Sequence, residues 1–130
     1  MRYAFILSGL GLCVSVMLVT TRCENDISSL DKSQCEQNAG THPTWVQELI
    51  QELGSQPVTN PPSSVWRYRY DNRSVYYIPP VCCDLPGKLF SDSGELLCHP
   101  DGGISGTGDG RCPDFFQTRS CEEHVWSDDR

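Results

Sequence analysis

Cysteine placement constrains this chain more than any other feature of its sequence. Six cysteines follow residue 23, at positions 35, 82, 83, 98, 112 and 121. In an oxidising compartment such a set predicts a disulfide framework whose connectivity the sequence leaves open. Zinc is the alternative ligand, but the chain has no Cys-x-x-Cys pair, and adjacent cysteines are poorly placed to bind one ion together. We therefore predict disulfides at Cys35, Cys82, Cys83, Cys98, Cys112 and Cys121.

The first 23 residues predict export. Met1, Arg2 and Tyr3 precede an apolar run, residues 4–19, and the chain turns polar at Thr20. This is the pattern of a secretory signal peptide. A membrane anchor is disfavoured, because the run is shorter than the roughly 20 residues that span a bilayer and no basic cluster follows it. We expect a secreted, extracellular protein.

Cysteine parity bears on how the signal peptide, residues 1–23, ends. Cys13 leaves with the signal, so an even number of cysteines remains only if Cys23 is also removed or modified. Cleavage next to Cys23 removes it, with Thr21 and Cys23 as the small residues of the recognition site. Lipidation of Cys23, as in a bacterial lipoprotein, is the alternative, but Arg22 stands where that processing needs a small residue. We favour cleavage, and expect no membrane association afterwards unless Cys23 is lipidated.

Loss of the signal makes the chain strongly acidic. Arg2 and Arg22 leave with it, so eight basic and 17 acidic residues remain, and the formal net charge changes from -7 to -9. Such a surface repels nucleic acid and anionic lipid, and attracts cations or basic partners. We predict no nucleic-acid partner, and an extracellular matrix or mineral surface as the partner class. Solubility alone is the plainer explanation of the charge.

Local patterns divide the rest of the chain into a leader, one domain and a tail. Residues 24–40 are polar and acidic, with little periodicity, and predict a flexible acidic leader. A disulfide-rich domain is predicted over residues 41–121 and a charged tail over 122–130. The domain opens with an amphipathic helix, capped by Thr44 and ended by Gly54. Its apolar side chains recur at helical spacing: Trp45, Val46, Leu49, Ile50 and Leu53.

Two hairpins are expected after the helix. In the first, aromatic side chains at positions 66, 68 and 70 alternate with residues 65, 67 and 69 ahead of a turn at Asp71-Asn72. The alternation also suits a platform for stacking nucleic-acid bases, but the net charge favours a half-buried sheet face. The second hairpin turns at Asp92-Ser93-Gly94. Asn72 heads an N-glycosylation sequon and is a predicted glycan acceptor in a eukaryotic host.

The stretch CHPDGGISGTGDGRCPDF, residues 98–115, is the candidate ligand loop. An EF-hand calcium loop started at Asp101 lacks oxygen side chains at its third and twelfth positions, where Gly103 and Cys112 stand. Phosphate loops fit worse, because an acidic residue follows the glycines where a lysine is needed. Calcium binding through Asp101 and Asp109 is kept as a weak hypothesis, and no other cofactor is predicted. A structural turn, closed if Cys98 and Cys112 pair with each other, fits the glycines better.

Catalytic patterns are lacking in the sequence. The three histidines, His42, His99 and His124, lie in no zinc-protease or nucleophile pattern, and there is no Gly-x-Ser-x-Gly motif. Oxidised cysteines leave no thiol nucleophile. We predict that the protein is not an enzyme.

Residues 75–115 resemble a known family of exported domains. They contain Cys82-Cys83-Asp84, a hairpin that ends at Cys98, and the pattern Pro-Asp-Gly-Gly-x-x-Gly-x-Gly-Asp-Gly-x-Cys-Pro from Pro100 to Pro113. This combination resembles a domain of unknown function in small exported proteins, both bacterial lipoproteins and invertebrate secreted proteins. The resemblance implies export and a shared fold, and brings no activity. Because Cys35 and Cys121 lie outside the family's core, it also suggests an added bridge between both ends.

Together these observations predict an α+β fold in which one amphipathic helix packs on a small antiparallel sheet of two hairpins, stabilised by disulfides. The predicted function is that of a secreted acidic structural protein of an extracellular matrix, of a calcified, shell-like kind, without catalytic activity. The alternative is a disulfide-rich binding module such as a protease inhibitor, since disulfide-closed loops present rigid recognition segments.

Overall fold

The computed structural model describes Cys35, residues 40–82 and residues 84–130. Its elements, in chain order, are helix α1 (Thr44–Ser55), strands β1 (Ser64–Tyr70), β2 (Arg73–Ile78), β3 (Lys88–Ser91) and β4 (Leu96–Cys98), the short helix α2 (Phe115–Thr118) and strand β5 (Ser120–Ser127). The predicted signal peptide lies outside the described residues, as does the predicted leader apart from Cys35 and Gly40. Among the described residues, no helix is both long and apolar enough to cross a membrane.

The five strands form one antiparallel sheet in the order β4-β3-β2-β1-β5. Both predicted hairpins are confirmed. The first turns through Asp71 and Asn72, whose φ angles of 48° and 58° suit the tight turn that matches the twist of paired strands. The second turns at 92–94, where Gly94 has a φ of +86°. The fold therefore mixes helix and sheet, and the sheet is its larger part.

A fifth strand corrects the prediction of a sheet made from two hairpins. Strand β5 pairs with β1 and comes from residues 120–127, most of which were predicted as a charged tail. The acidic side chains of this segment bond to β1: the Tyr68 hydroxyl donates to Glu122 at 2.9 Å, and Arg67 pairs with Glu123 at 2.5 Å. Cross-strand partners thus stabilise a strand that its own composition disfavours.

Alternation along β1 and β2 divides the core into two clusters, one on each face of the sheet. The helix-side core contains Val46, Val65, Tyr76 and Ile78, with further apolar side chains of α1 packed against it. The loop-side core contains Tyr68, Val75, Tyr77, Leu89, Cys98, Cys112 and Phe115, and Trp66 and Tyr70 pack against it. The predicted alternation of the aromatic residues is therefore confirmed, and both faces of the sheet are covered.

The ends of α1 differ from the prediction. Thr44 is the first helical residue rather than the cap, and Pro43 stands at the cap position, where it offers its carbonyl to the Val46 N–H at 3.0 Å. Gly54 lies inside the helix, which ends at Ser55, whose hydroxyl bonds the Glu52 carbonyl at 2.7 Å. Pro43 therefore stands at the start of the helix, where Thr44 was predicted as the cap. The side-chain bond of Ser55 is at its end, where Gly54 was predicted as the stop.

Two disulfides are present in the described residues, Cys35–Cys121 and Cys98–Cys112. The first joins the region before α1 to β5. The second joins the end of β4 to the segment before α2 and closes residues 99–111, named here the glycine loop. Cys82 is exposed, and Cys83 lies outside the described residues.

Candidate functional site

The glycine loop is tied to the segment that precedes β3. The Gly87 N–H donates to the Asp101 carbonyl at 3.1 Å, and the Gly103 N–H donates to the Leu85 carbonyl at 3.4 Å. The His99 ring donates from Nδ1 to the Gly87 carbonyl at 2.7 Å. Backbone and ring donors are thus matched to nearby carbonyls, so that a loop with little apolar content still has a defined conformation.

Two glycines of the loop stand where no other residue fits. Gly102 and Gly108 have φ angles of +74° and +68°. A Cβ on Gly102 would press against the Leu85 carbonyl, and one on Gly108 would overlap the His99 carbonyl. The glycine content of this loop therefore follows from close backbone packing as well as from positive φ.

We expect Gly108→Ala to destabilise the protein by about 2–3 kcal/mol, because the added methyl group has no space and the backbone is left-handed. Gly110→Ala is the matched control, since Gly110 has a φ of +72° but nothing within 4 Å of the added Cβ. The control is expected to cost about 1 kcal/mol. Urea unfolding of both variants measures the difference, and equal losses would show that close packing at Gly108 is unimportant.

The Asp109 side chain holds two backbone N–H groups, one at each end of the glycine loop. Its carboxylate accepts the Arg111 N–H and the His99 N–H, each at 3.0 Å. The backbone donor of Arg111, helped by that of His99, lowers the pKa of the Asp109 carboxyl below its usual value. A lowered pKa means that ionised Asp109 stabilises the loop above the ordinary pKa of aspartate, and that this contribution is lost as the pH falls through the lowered pKa.

Asp101 bonds to the sheet rather than to its own loop. Its Oδ2 accepts the Tyr77 hydroxyl at 2.7 Å, and its Oδ1 packs against Gly87, where a Cβ would overlap it. Burial, followed by the bond to Asp101, raises the pKa of Tyr77. Asp101 and Asp109 thus serve donors within the protein, and the described residues contain no group of three or more His, Cys, Asp or Glu side chains that could hold a metal ion. Calcium binding at this pair stays a prediction.

Asn72 occupies the tip of the β1–β2 hairpin. It is exposed and has a φ of 58°. The tip projects from the end of the sheet, so a glycan attached there would extend into solvent without displacing core side chains. Glycosylation of Asn72 stays a prediction.

A partly buried polar cluster near the Cys35–Cys121 bridge escaped the sequence analysis. Arg67 is buried and pairs with Glu123, which also accepts the Gly40 N–H at 3.3 Å. The ring of His42 lies 3.3 Å from the Tyr76 hydroxyl and 3.8 Å from Glu123. These contacts join residues 40–42 to the helix-side core. Its members come from distant parts of the chain, so no local motif could reveal it.

Three tyrosines of the loop-side face each donate to a carboxylate. The pairs are Tyr68–Glu122 at 2.9 Å, Tyr70–Asp114 at 2.8 Å and Tyr77–Asp101 at 2.7 Å. Burial, followed by the bond to the carboxylate, raises the pKa of Tyr68 and of Tyr70 to about 12. These phenols are therefore protonated donors at neutral pH, and they hold three acidic side chains around the loop-side core.

An apolar groove lies between α1 and the segments that flank β3. Its volume is about 260 Å³. Apolar side chains form most of its lining: Leu49, Leu53, Ile78, Pro79, Pro80, Val81, Leu85, Pro86 and Phe90. Leu85 remains 53% exposed at the groove, and Ile104, in the glycine loop, is 98% exposed. Prolines and isolated aliphatic residues gave no sequence signal for this groove, because the fold alone brings them together.

Comparison with known proteins identifies a family and little more. A family model described as a domain of unknown function, DUF6970, matches residues 51–128. No curated protein and no solved structure gives a significant match. The matched segment is more than half of the chain, and it includes all five strands, the glycine loop and the groove lining apart from Leu49. The chain therefore belongs to the DUF6970 family, a domain of unknown function.

Proposed function

We propose that this protein is an exported acidic structural protein of an extracellular matrix, of the calcified kind, that presents carboxylates on a disulfide-stabilised domain and carries no catalytic activity. Export is supported by the apolar start of the sequence and by the two disulfides, which are compatible with an oxidising compartment. The proposal depends most on how the charges are distributed over the fold.

The carrying observation is that acidic side chains greatly outnumber basic ones on the exposed surface. Among the described residues only four basic side chains are exposed: Arg73, Lys88, Arg111 and Arg130. Ten acidic side chains are exposed: Glu48, Glu52, Asp71, Asp84, Asp92, Glu95, Asp109, Asp114, Glu122 and Asp129. Among the described residues, the exposed surface therefore carries more than twice as many acidic as basic side chains.

Several basic side chains have partners within the fold. Arg67 is buried against Glu123. The Arg119 guanidinium stacks over Tyr68 at 4.4 Å and over Phe116 at 4.8 Å, as a cation does on aromatic rings. The exposed Arg130 is itself held by Asp128 and by the Gln56 carbonyl, each at 2.8 Å. Few positive charges are left to neutralise the surface.

Such a surface attracts divalent cations collectively, without a dedicated site. In this proposal α1 serves as an amphipathic helix, with Leu49 and Leu53 packed inward and Glu48 and Glu52 in solvent. Carboxylate oxygens suit calcium ions, and many such groups spread over one rigid domain favour adsorption to a mineral surface. We expect weak, multiple and salt-sensitive calcium binding.

Adsorption to calcium carbonate and calorimetric titration with calcium test the proposal. The triple variant Glu48→Gln/Glu52→Gln/Glu95→Gln is expected to adsorb several-fold more weakly, because three exposed charges are lost. Gln47→Ser/Gln51→Ser, which changes two exposed uncharged residues of α1, is the control and should adsorb like the natural chain. Fully reduced, alkylated protein supplies a charge-matched chain without the fold.

Two results would contradict the proposal. One is a calcium response no greater than that of the reduced, alkylated chain. The other is adsorption that ignores the loss of exposed charges. Asp101→Asn/Asp109→Asn adds a further comparison, because a loss much larger than that of the triple variant would indicate a dedicated calcium site in the glycine loop instead of collective attraction.

A second candidate is the binding module, exemplified by a protease inhibitor. The observation that favours it is Ile104, 98% exposed on a loop that the Cys98–Cys112 bridge closes. A rigid loop binds a partner with little loss of conformational freedom. Inhibition assays with a panel of extracellular proteases, run on the natural chain and on Ile104→Ser, test this candidate, and absence of inhibition by the oxidised protein would remove it.

A further inference from the structure

A small polar cavity lies at the hairpin end of strands β1 and β2, beside the Cys35–Cys121 bridge. Its volume is about 100 Å³, which is room for a few water molecules or one small ion. Arg67, Arg69, Asn72 and Ser74 line it, together with the two bridged cysteines. The described residues of the lining include no carboxylate, although acidic residues outnumber basic ones in the chain by 17 to 10. The cavity is therefore basic where the chain as a whole is acidic.

The register of the sheet puts the two arginines on one face. Arg67 and Arg69 are two positions apart on β1, so their side chains point to the same side of the sheet. The cross-strand partner of Arg67 is Tyr76, which belongs to the helix-side core. Ser74 is the cross-strand partner of Arg69, and this pairing places its hydroxyl beside that arginine. Two basic side chains and a hydroxyl thus border one cavity.

An irregularity in β5 accounts for the cavity at this place. Arg67 pairs with Glu123 and Arg69 with Ser120, so β5 has one residue more than β1 between these two pairs. Such a bulge interrupts the ladder and bends the strand. Cys121 lies in it with a φ of 53°, in the left-handed region that residues other than glycine rarely adopt. Backbone in this region is costly and is concentrated at functional sites.

The arginines keep donors for a ligand although each has a partner within the protein. Arg67 pairs with Glu123, which is outside the described lining of the cavity, and Arg69 also interacts within the protein. A guanidinium group has five N–H donors, so one partner leaves others for a second. Acidic side chains elsewhere on the surface act weakly here, because salt screens charges beyond about 8–10 Å.

The chemistry of the lining selects the ligand. Planar guanidinium groups bind the oxygens of an oxyanion in pairs, through short charge-assisted hydrogen bonds. The volume of the cavity admits one small oxyanion and excludes a nucleotide or a sulfated sugar. Phosphate, sulfate and carbonate share the required size and oxygen acceptors.

We propose that this cavity binds one small inorganic oxyanion. Arg67 and Arg69 donate to its oxygens, and the Ser74 hydroxyl donates to a further oxygen. The site is independent of the exposed carboxylates that carry the proposed function, since it takes an anion where that surface takes cations.

Nuclear magnetic resonance titration of the oxidised mature chain tests the proposal. Sodium phosphate, sodium sulfate and sodium bicarbonate are added in separate series, in calcium-free buffer whose ionic strength is held constant with sodium chloride. We expect at least one anion to give saturable shifts of the Arg69 Nε–H signal and of the Ser74 and Cys121 backbone N–H signals. Comparison of the three series identifies the preferred anion.

Arg69→Gln is expected to weaken binding about tenfold or more, because charge-assisted donors are lost. Arg73→Gln is the matched control. It removes the same charge from the same hairpin, but Arg73 is exposed and outside the cavity lining, so binding should stay within about twofold of the natural chain. Arg67 is left unchanged, because its loss would deprive Glu123 of its partner.

Two results overturn the proposal. One is the absence of saturable shifts with all three anions. The other is equal weakening by Arg69→Gln and Arg73→Gln, which would mean general attraction by positive charge and no site. Calcium-free buffer keeps either failure distinct from failure of calcium or mineral binding.

Discussion

Replacing Phe115 with alanine is expected to lower the free energy of unfolding by about 3–5 kcal/mol. Phe115 is 0% exposed and is among the largest fully buried side chains. Its ring lies 5.4–5.7 Å from the rings of Tyr68, Tyr70 and Tyr77, in edge and tilted arrangements. The variant leaves a cavity at the centre of the loop-side core, and removes the contact that holds α2 on the sheet.

Phe116→Ala is the matched control for this change. Phe116 is the next residue, is 39% exposed, and contacts Tyr77 and Phe115 from the outside. Its loss is expected to cost about 1 kcal/mol. Chemical unfolding monitored by tryptophan fluorescence measures both variants. Similar losses for the two would contradict the assignment of Phe115 as the centre of this core. The total free energy of unfolding of a domain of this size is only about 5–15 kcal/mol, so the Phe115 variant should be partly unfolded when warmed.

Local sequence patterns predicted the helix and both hairpins well. The turn at Asp71-Asn72 and the alternation at positions 66, 68 and 70 depend on neighbouring residues, and their consequences follow from backbone geometry alone. The four-residue helix α2 could not be predicted in the same way. It spans only about one helical turn, so an apolar pattern has no room to repeat, and burial of Phe115 stabilises it.

Strand β5 shows why the remaining architecture could not be inferred. Its segment, SCEEHVWS, is polar and has two adjacent glutamates. Glu122 accepts a hydrogen bond from Tyr68, and Glu123 pairs with Arg67. Both partners are more than 50 residues away in the chain. The free energy that stabilises β5 therefore arises from tertiary partners, and no window along the sequence contains it.

Some features of the candidate site could likewise be predicted from the local sequence, and others could not. Turn chemistry in the glycine loop was predicted from glycine content, and the bonds around Gly102, Gly108 and Asp109 agree with a structural turn. The exposure of Ile104 and the groove beside Leu85 were not predicted. An isoleucine in a glycine-rich stretch has no signature of exposure, and the groove walls come from α1 and from a segment near residue 85.

Removing the Cys35–Cys121 bridge, with the double variant Cys35→Ser/Cys121→Ser, is expected to cost about 4–5 kcal/mol on the loop-entropy model. The two cysteines are 86 positions apart, compared with 14 for Cys98 and Cys112. Because a longer closed loop removes more conformations from the unfolded chain, the same model gives about 3 kcal/mol for Cys98–Cys112. Urea unfolding of the variant and the natural chain under oxidising conditions measures the difference.

A direct control can distinguish whether the Cys35–Cys121 bridge acts on the unfolded chain or on the folded chain. If the bridge acts by restraining the unfolded chain, the variant should expose more surface on unfolding and show a steeper dependence of unfolding free energy on urea. In strong reductant the natural chain and the variant should become equally stable, since neither then retains the bridge. If the variant loses much of its unfolding free energy but the dependence on urea is unchanged, the bridge stabilises the folded state instead. The contacts of residues 40–42 with Glu123 and Tyr76 would then be the ones that it supports. In that case Glu123→Gln, with both disulfides intact, should reproduce a substantial part of the loss.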